Sequence, residues 1–151
     1  MTTSRVVRLL KPLVVALALS ACPDQPSSEL SELTSVGAGE LELVGARDGA
    51  PVTFPSRSKI LLHYDPSLGA IRTEAFGNLY TIPVSASDDG SLVWGGIEGT
   101  LIAVPDALAK AAVRYTDLVI ATRRVEKRPD GLALLSRDGT KALEYRYAPK
   151  P

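Results

Sequence analysis

The chain has 151 residues, 45% of them hydrophobic, with 17 basic and 17 acidic side chains, one cysteine and one histidine. That length suits one domain with a real core plus an extension. Balanced charge gives no electrostatic reason to expect nucleic acid as a partner, and a single Cys with a single His excludes a disulfide within the chain and a multi-histidine metal site.

Residues 1–21 have the three parts of a secretory signal: a basic start (Arg5, Arg8, Lys11, no acid), an apolar run from Leu13 to Leu19, and small residues before Cys22. The run is far short of the roughly 20 apolar residues a membrane-spanning helix needs. Leu19-Ser20-Ala21-Cys22 looks like the lipobox of bacterial lipoproteins. In that pathway the thiol is alkylated by diacylglycerol, the chain is cut before the cysteine, and the new amino group is acylated, with palmitate an expected chain. Two or more acyl chains anchor stably, whereas one does so marginally. The sequence therefore predicts a lipid-anchored protein of the bacterial cell envelope. Pro23 rather than Asp follows Cys22, which points to the outer membrane, facing the periplasm. An ordinary signal peptide with soluble release is the rival reading, and the position of Cys22 argues against it. All three leader charges are basic, so the part from Cys22 onward is acidic by three charges.

Residues 22–38 are rich in Ser, Pro, Gly, Glu and Thr and read as a flexible tether. About 15 such residues would span roughly 20 Å on average and roughly 50 Å when extended. Glu29-Leu30-Ser31-Glu32-Leu33 could turn helically but is too short to stand alone.

From residue 39 to 148 the pattern is that of a β-rich domain, with period-two alternation broken by turn dipeptides. Strands are expected at Glu40–Val44, Lys59–Asp65, Ala70–Ala75, Asn78–Val84 and Ser91–Trp94, with Ile97–Val104 continuing the last. Pro83 marks an edge or a bulge, and Gly95-Gly96 a kink. Pro105-Asp106 opens an Ala-rich helix, expected to end near Asp117. Arg123–Lys127, Leu132–Leu135 and Lys141–Tyr147 are the closing strands, with Pro129-Asp130-Gly131 and Asp138-Gly139 as hairpin turns. Asp48, Asp89 and Asp130 lie 41 residues apart, but their flanks do not match, so they are turns rather than a repeat. The expected fold is α+β and β-rich, an antiparallel twisted sheet or partly open barrel of about eight strands wrapped on one helix.

This order resembles the META-domain family. The opening strand and turn are Gly39–Val44 and Arg47–Val52. The apolar strand ending in Asp is Ile60–Asp65. The Asn before an aromatic is Gly77-Asn78-Leu79-Tyr80, the Thr-bearing strand is Gly99-Thr100-Leu101-Ile102-Ala103, and the final hairpin is Leu132-Ala133-Leu134 with Arg137-Asp138-Gly139 and Glu144-Tyr145. Many members carry a Cys just before that Asn and another shortly after that Thr. Here those places hold Gly77 and Val104, and a joint loss is consistent, since a lone thiol is a liability outside the cytoplasm. The usual Trp of the opening strand is absent. The resemblance implies a non-catalytic envelope domain that binds an envelope protein or a lipid. The alternative is a soluble secreted β-protein acting as a small-ligand carrier or inhibitor.

The chemistry-bearing residues give little beyond that. His63 and Asp65 share a strand face and would need a serine such as Ser136, yet there is no Gly-x-Ser-x-Gly elbow. Asp88, Asp89, Asp130 and Asp138 lack EF-hand spacing and read as turn carboxylates. Gly95–Gly99 lacks the Gly-Lys-Ser/Thr ending of a phosphate loop. No cofactor motif occurs. Arg123, Arg124, Lys127 and Arg128 form a basic stretch, which reads either as a surface for anionic lipid headgroups or as a charge-protected sheet edge.

Overall fold

A computed structural model describes residues 28–36, 39–55, 59–100 and 102–149. The lipobox residues Leu19, Ser20, Ala21 and Cys22 lie outside the described residues, as does the rest of the expected leader.

Among the described residues, ten strands form one antiparallel sheet: β1 (Leu41–Asp48), β2 (Ala50–Pro51), β3 (Leu61–Asp65), β4 (Ala70–Ala75), β5 (Asn78–Ala86), β6 (Leu92–Trp94), β7 (Glu98–Gly99), β8 (Arg124–Arg128), β9 (Gly131–Leu135) and β10 (Lys141–Tyr147). The order is β6-β5-β4-β3-β1-β10-β9-β8, with β2 paired to β1 and β7 to β5. Short turns enforce the antiparallel order. One is the two-residue turn Phe76-Gly77, between paired Ala75 and Asn78. Both residues have positive φ, 56° and 83°, as a two-residue hairpin loop of matching twist requires. Gly77 does this freely. Phe76 is strained there, and the burial of its ring, 5.6 Å from the Phe54 ring, offsets the strain.

The sheet nearly closes into a barrel. Leu92 at the start of β6 donates its N–H to the Arg123 carbonyl just before β8, at 2.8 Å, and Trp94 Nε1 donates to the Thr122 carbonyl, also at 2.8 Å. The long helix α2 (Asp106–Ala121) packs Ala112, Tyr115, Thr116, Leu118 and Val119 into the core with Leu62, Ile71, Ile82, Leu132, Leu134 and Leu143. It is fixed by a buried hydroxyl chain. Thr73 Oγ1 donates to the Leu61 carbonyl, so it accepts from Tyr115 Oη (2.8 Å), which in turn accepts from Tyr145 Oη (3.0 Å). The helix is thereby bonded to β4 and to β10, on either side of β3 and β1.

Three expectations need correction. Helix α2 runs to Ala121, past Asp117, because burial of Leu118 and Val119 outweighs the strand propensity of Leu-Val-Ile. Among the described residues, the strand expected over Ile97–Val104 shrinks to β7. Gly95–Ile97 loop out where β5 changes partner, from β7 at Tyr80-Thr81 to β6 at Val84–Ala86. Pro83, which has no N–H to give, sits in that break.

The third correction concerns the tether, and with it the expected start of the domain at residue 39. From Ser28 to Val36 the chain is part of the fold. Helix α1 (Glu29–Ser35) lies along the seam that β6 and β8 leave, against β8 and β5. The Ser28 Oγ caps it by accepting the Ser31 N–H at 3.2 Å. Leu33 is 1% exposed, in the core. Glu29 Oε2 accepts the Val125 N–H, an edge-strand donor with no strand beside it. Seven residues show no helical periodicity by themselves, and tertiary burial makes this helix. The expected α+β, β-rich class holds: the sheet is wrapped on α2, and among the described residues α1 is a second, short helix in its seam.

Candidate functional site

The basic stretch does not assemble into one cationic surface. Arg123 turns back on α2 and donates from Nη1 to the Ile120 and Thr122 carbonyls, both at 2.6 Å, capping the helix C-terminus. Arg128 lies 3.3 Å from Glu144 and 3.5 Å from Glu126. Lys127 reaches Glu32 of α1 at 4.0 Å. Arg124 is exposed at the other end of β8. Of the two readings, the charge-protected edge fits these partners, with α1 as its cover.

The catalytic grouping is not brought together either. His63 stands on β3 opposite Arg72. Ser136 is committed to its own turn, donating to Asp138 (2.6 Å) and accepting the Lys141 N–H (2.9 Å). Asp65 accepts the Ser67 N–H and hydroxyl. The turn aspartates behave alike. Asp89 accepts from Ser87, Ser91 and Arg137, and these hydrogen bonds hold its carboxyl well below the usual range. The Ser136 hydroxyl and the Thr140 N–H lower Asp138 to about 2. These side chains build turns. Among the described residues no group of three or more His, Cys, Asp or Glu is placed to hold a metal ion.

The residues that carry the family resemblance do meet. Asn78 Oδ1 accepts from Thr100 Oγ1 (3.1 Å) and from the Ile102 N–H (2.9 Å), while Thr100 Oγ1 accepts the Leu79 N–H at 3.0 Å. Two polar side chains thus pin the segment after β7 to the start of β5, where the backbone is irregular and needs partners. Gly77 and Val104 are neighbours: a Cβ on Gly77 would lie 3.7 Å from Val104 Cγ1.

Beside this knot runs an open groove of about 350 Å³ between α2 and residues 97–104, lined by Tyr80, Ile97, Ile102, Val104, Ala109 and Val113 among neutral residues only. Ile102 and Val113 are 58% and 60% exposed. Asn78, Thr100 and Thr116 also line it, so its apolar surface is accompanied by a few neutral polar groups. In sequence Ile102 and Val113 look like ordinary core residues, and only the missing cover distinguishes them. Neither described helix is long and apolar enough to cross a membrane.

Fold and site together define a β-rich α+β domain, a nearly closed antiparallel barrel around a long helix, with an apolar groove at the helix flank. No family model and no curated protein matches the chain. Two solved structures share the fold. An NMR structure of a protein from Burkholderia xenovorans aligns with a TM-score of 0.62 at 17% identity, over 96% of this chain and 100% of that one. A second NMR structure aligns with a TM-score of 0.52 at 16% identity, over 76% of this chain and 93% of that one. At such identities the likeness is one of fold.

Proposed function

We propose that this is a lipid-anchored cell-envelope protein of the outer membrane, with a non-catalytic META-like domain that acts by binding an envelope protein or a lipid. The observation that carries the reading is Leu19-Ser20-Ala21-Cys22 at the end of a short apolar segment with a basic start, holding the chain's only thiol. Two features support the META-like part. Asn78 and Thr100, distant in sequence, share a hydrogen bond, and a Cβ on Gly77 would lie 3.7 Å from Val104 Cγ1, where relatives often carry a pair of cysteines. The groove beside α2, lined mainly by apolar side chains with a few neutral polar ones, offers a surface for binding.

Cys22→Ala in the producing cell, followed through membrane fractionation and palmitate labelling, tests the anchor. The variant is expected to lose the label and leave the membrane fraction. A variant that stays membrane-bound and is processed as before contradicts the reading, and a wild-type protein that is cleaved and soluble supports the secreted carrier instead.

A further inference from the structure

Apolar exposure on this domain is not scattered. Among the described residues eight large apolar side chains are left exposed, and four of them, Val93, Ile97, Ile102 and Val113, line one flank of α2. Exposure clustered in this way marks a binding surface. The flank follows from how the chain runs. Trp94 Nε1 donates to the Thr122 carbonyl, which sets the end of β6 beside the C-terminus of α2. The described residues of 95–104 then lead back along the helix to Pro105, its N-cap. On the helix side Ala109, Val113, Thr116 and Ile120 recur every three or four residues and so form one stripe, with Arg123 just past its end. Two hollows follow one another between this stripe and residues 93–104. One is the groove of about 350 Å³ described above. The other, of about 500 Å³, is lined by Trp94, Ile120 and Arg123, and Ile97 borders both.

The second hollow holds a cation without an anion. Arg123 commits Nη1 to the Ile120 and Thr122 carbonyls. Its Nε and Nη2, the edge that matches a carboxylate, have no hydrogen bond among the described residues, and no acid pairs with it there. By contrast Arg128, Arg137 and Arg146 each face a carboxylate. The end of α2 offsets about half of the Arg123 charge, and a net cation remains. Further along the flank the polar atoms are committed. Asn78 Oδ1 accepts from Thr100 and Ile102, and Thr116 Oγ1 donates to the Ala112 carbonyl at 3.1 Å. A peptide laid here would find few partners for its backbone groups, whereas a hydrocarbon chain asks for none. The length fits as well. Val113 and Arg123 are ten positions apart, roughly 15 Å at the helical rise. One lipid tail spans half of a bilayer core, also roughly 15 Å.

We propose that this flank of α2 binds one long-chain fatty acid, with its carboxylate on Arg123 and its tail running over Ile97 toward Ile102 and Val113. This rests on the binding part of the reading above and names the ligand, and it is independent of the anchor at Cys22.

The test uses the chain from residue 22 onward with Cys22→Ser. It keeps every described residue, carries no acyl chain of its own and has no thiol that a brominated acid could alkylate. Trp94 is the chain's single tryptophan and lines the Arg123 end, so its fluorescence reports the ligand directly. Palmitate brominated beside the carboxylate is expected to quench Trp94 saturably, and palmitate brominated at its far end several-fold less. Equal quenching by the two, or none, overturns the proposal. Val113→Glu puts a charge in the path of the tail at an exposed position and is expected to weaken palmitate several-fold. Val44→Glu, exposed on β1, is expected to leave it unchanged, and equal losses in the two overturn the site. Arg123→Gln, with circular dichroism checking the fold, is expected to weaken palmitate several-fold and to leave hexadecanol, its uncharged analogue, unaltered. Equal loss of both ligands overturns the carboxylate contact. A dimer on gel filtration that binds no palmitate, and that Val113→Glu returns to monomer, assigns the flank to a second copy and overturns the proposal. Because the chain tested has no anchor, an absent quench leaves the anchor standing. A mature protein whose intact mass lacks acyl chains overturns the anchor and leaves the fatty-acid site standing.

Discussion

Asp89 and Asp138 show how single carboxylates shape the turns. Each is held ionised by hydroxyl and N–H donors of its own turn, so its folded pKa is depressed. A depressed carboxyl contributes stability that is present above its unfolded value of 3.8 and lost as pH falls through the folded one. Acid titration is thus expected to erode stability from near pH 4 down to about 2, the value for Asp138. In Asp138→Asn, followed by urea unfolding at stepped pH, that slope should be shallower. An identical slope contradicts the assignment. Asn78 works through its carbonyl oxygen instead. Asn78→Ala orphans the Thr100 hydroxyl and the Ile102 N–H, and should cost about 1–3 kcal/mol by urea denaturation. The buried tyrosines set the alkaline limit: burial pushes Tyr115 up to about 12 and raises Tyr145 well above 10. Their contribution is complete below the ordinary tyrosine value and lost as pH rises through the folded values. Phenolate absorbance should therefore show two of the five tyrosines ionising only as the protein unfolds. At this scale the Asp-Gly turns are legible in sequence because their chemistry is local. The role of Arg123 is not, since a strand reading aims it outward while the end of α2 draws it back.

Elements reveal themselves unevenly, for the same reason of range. The strands β4 and β10 match the alternation from Ala70 to Ala75 and from Lys141 to Tyr147, because one face is buried and the other wet. Helix α1 leaves no such trace. It has seven residues and one fully buried side chain, and what stabilises it is a seam made by strands far along the chain. Leu33→Ala separates the two descriptions of this segment. In a docked helix it should cost about 2–4 kcal/mol by urea denaturation, whereas in a free tether it would cost nothing. The end of α2 is illegible in a different way, since Leu118-Val119-Ile120 suits a strand or a helix and the barrel interior selects the helix.

For the whole molecule, the fold class follows from alternation and turn spacing, while barrel closure does not. It depends on contacts such as Leu92 with Arg123 and on α1 in the seam. The consequence is a change in how the domain is held. Read as a tether, residues 22–38 would carry it clear of lipid headgroups. With Ser28–Val36 docked in the fold, an anchor at Cys22, if made as proposed, would lie six residues from the described body. The central claim is therefore the anchor itself. Intact-mass and N-terminal peptide spectrometry of the mature protein, purified from membranes, tests it most directly. The account predicts a chain beginning at Cys22, carrying diacylglycerol on Sγ and an acyl group on its amino nitrogen. A chain cut elsewhere, or one with a free thiol at Cys22, would contradict it.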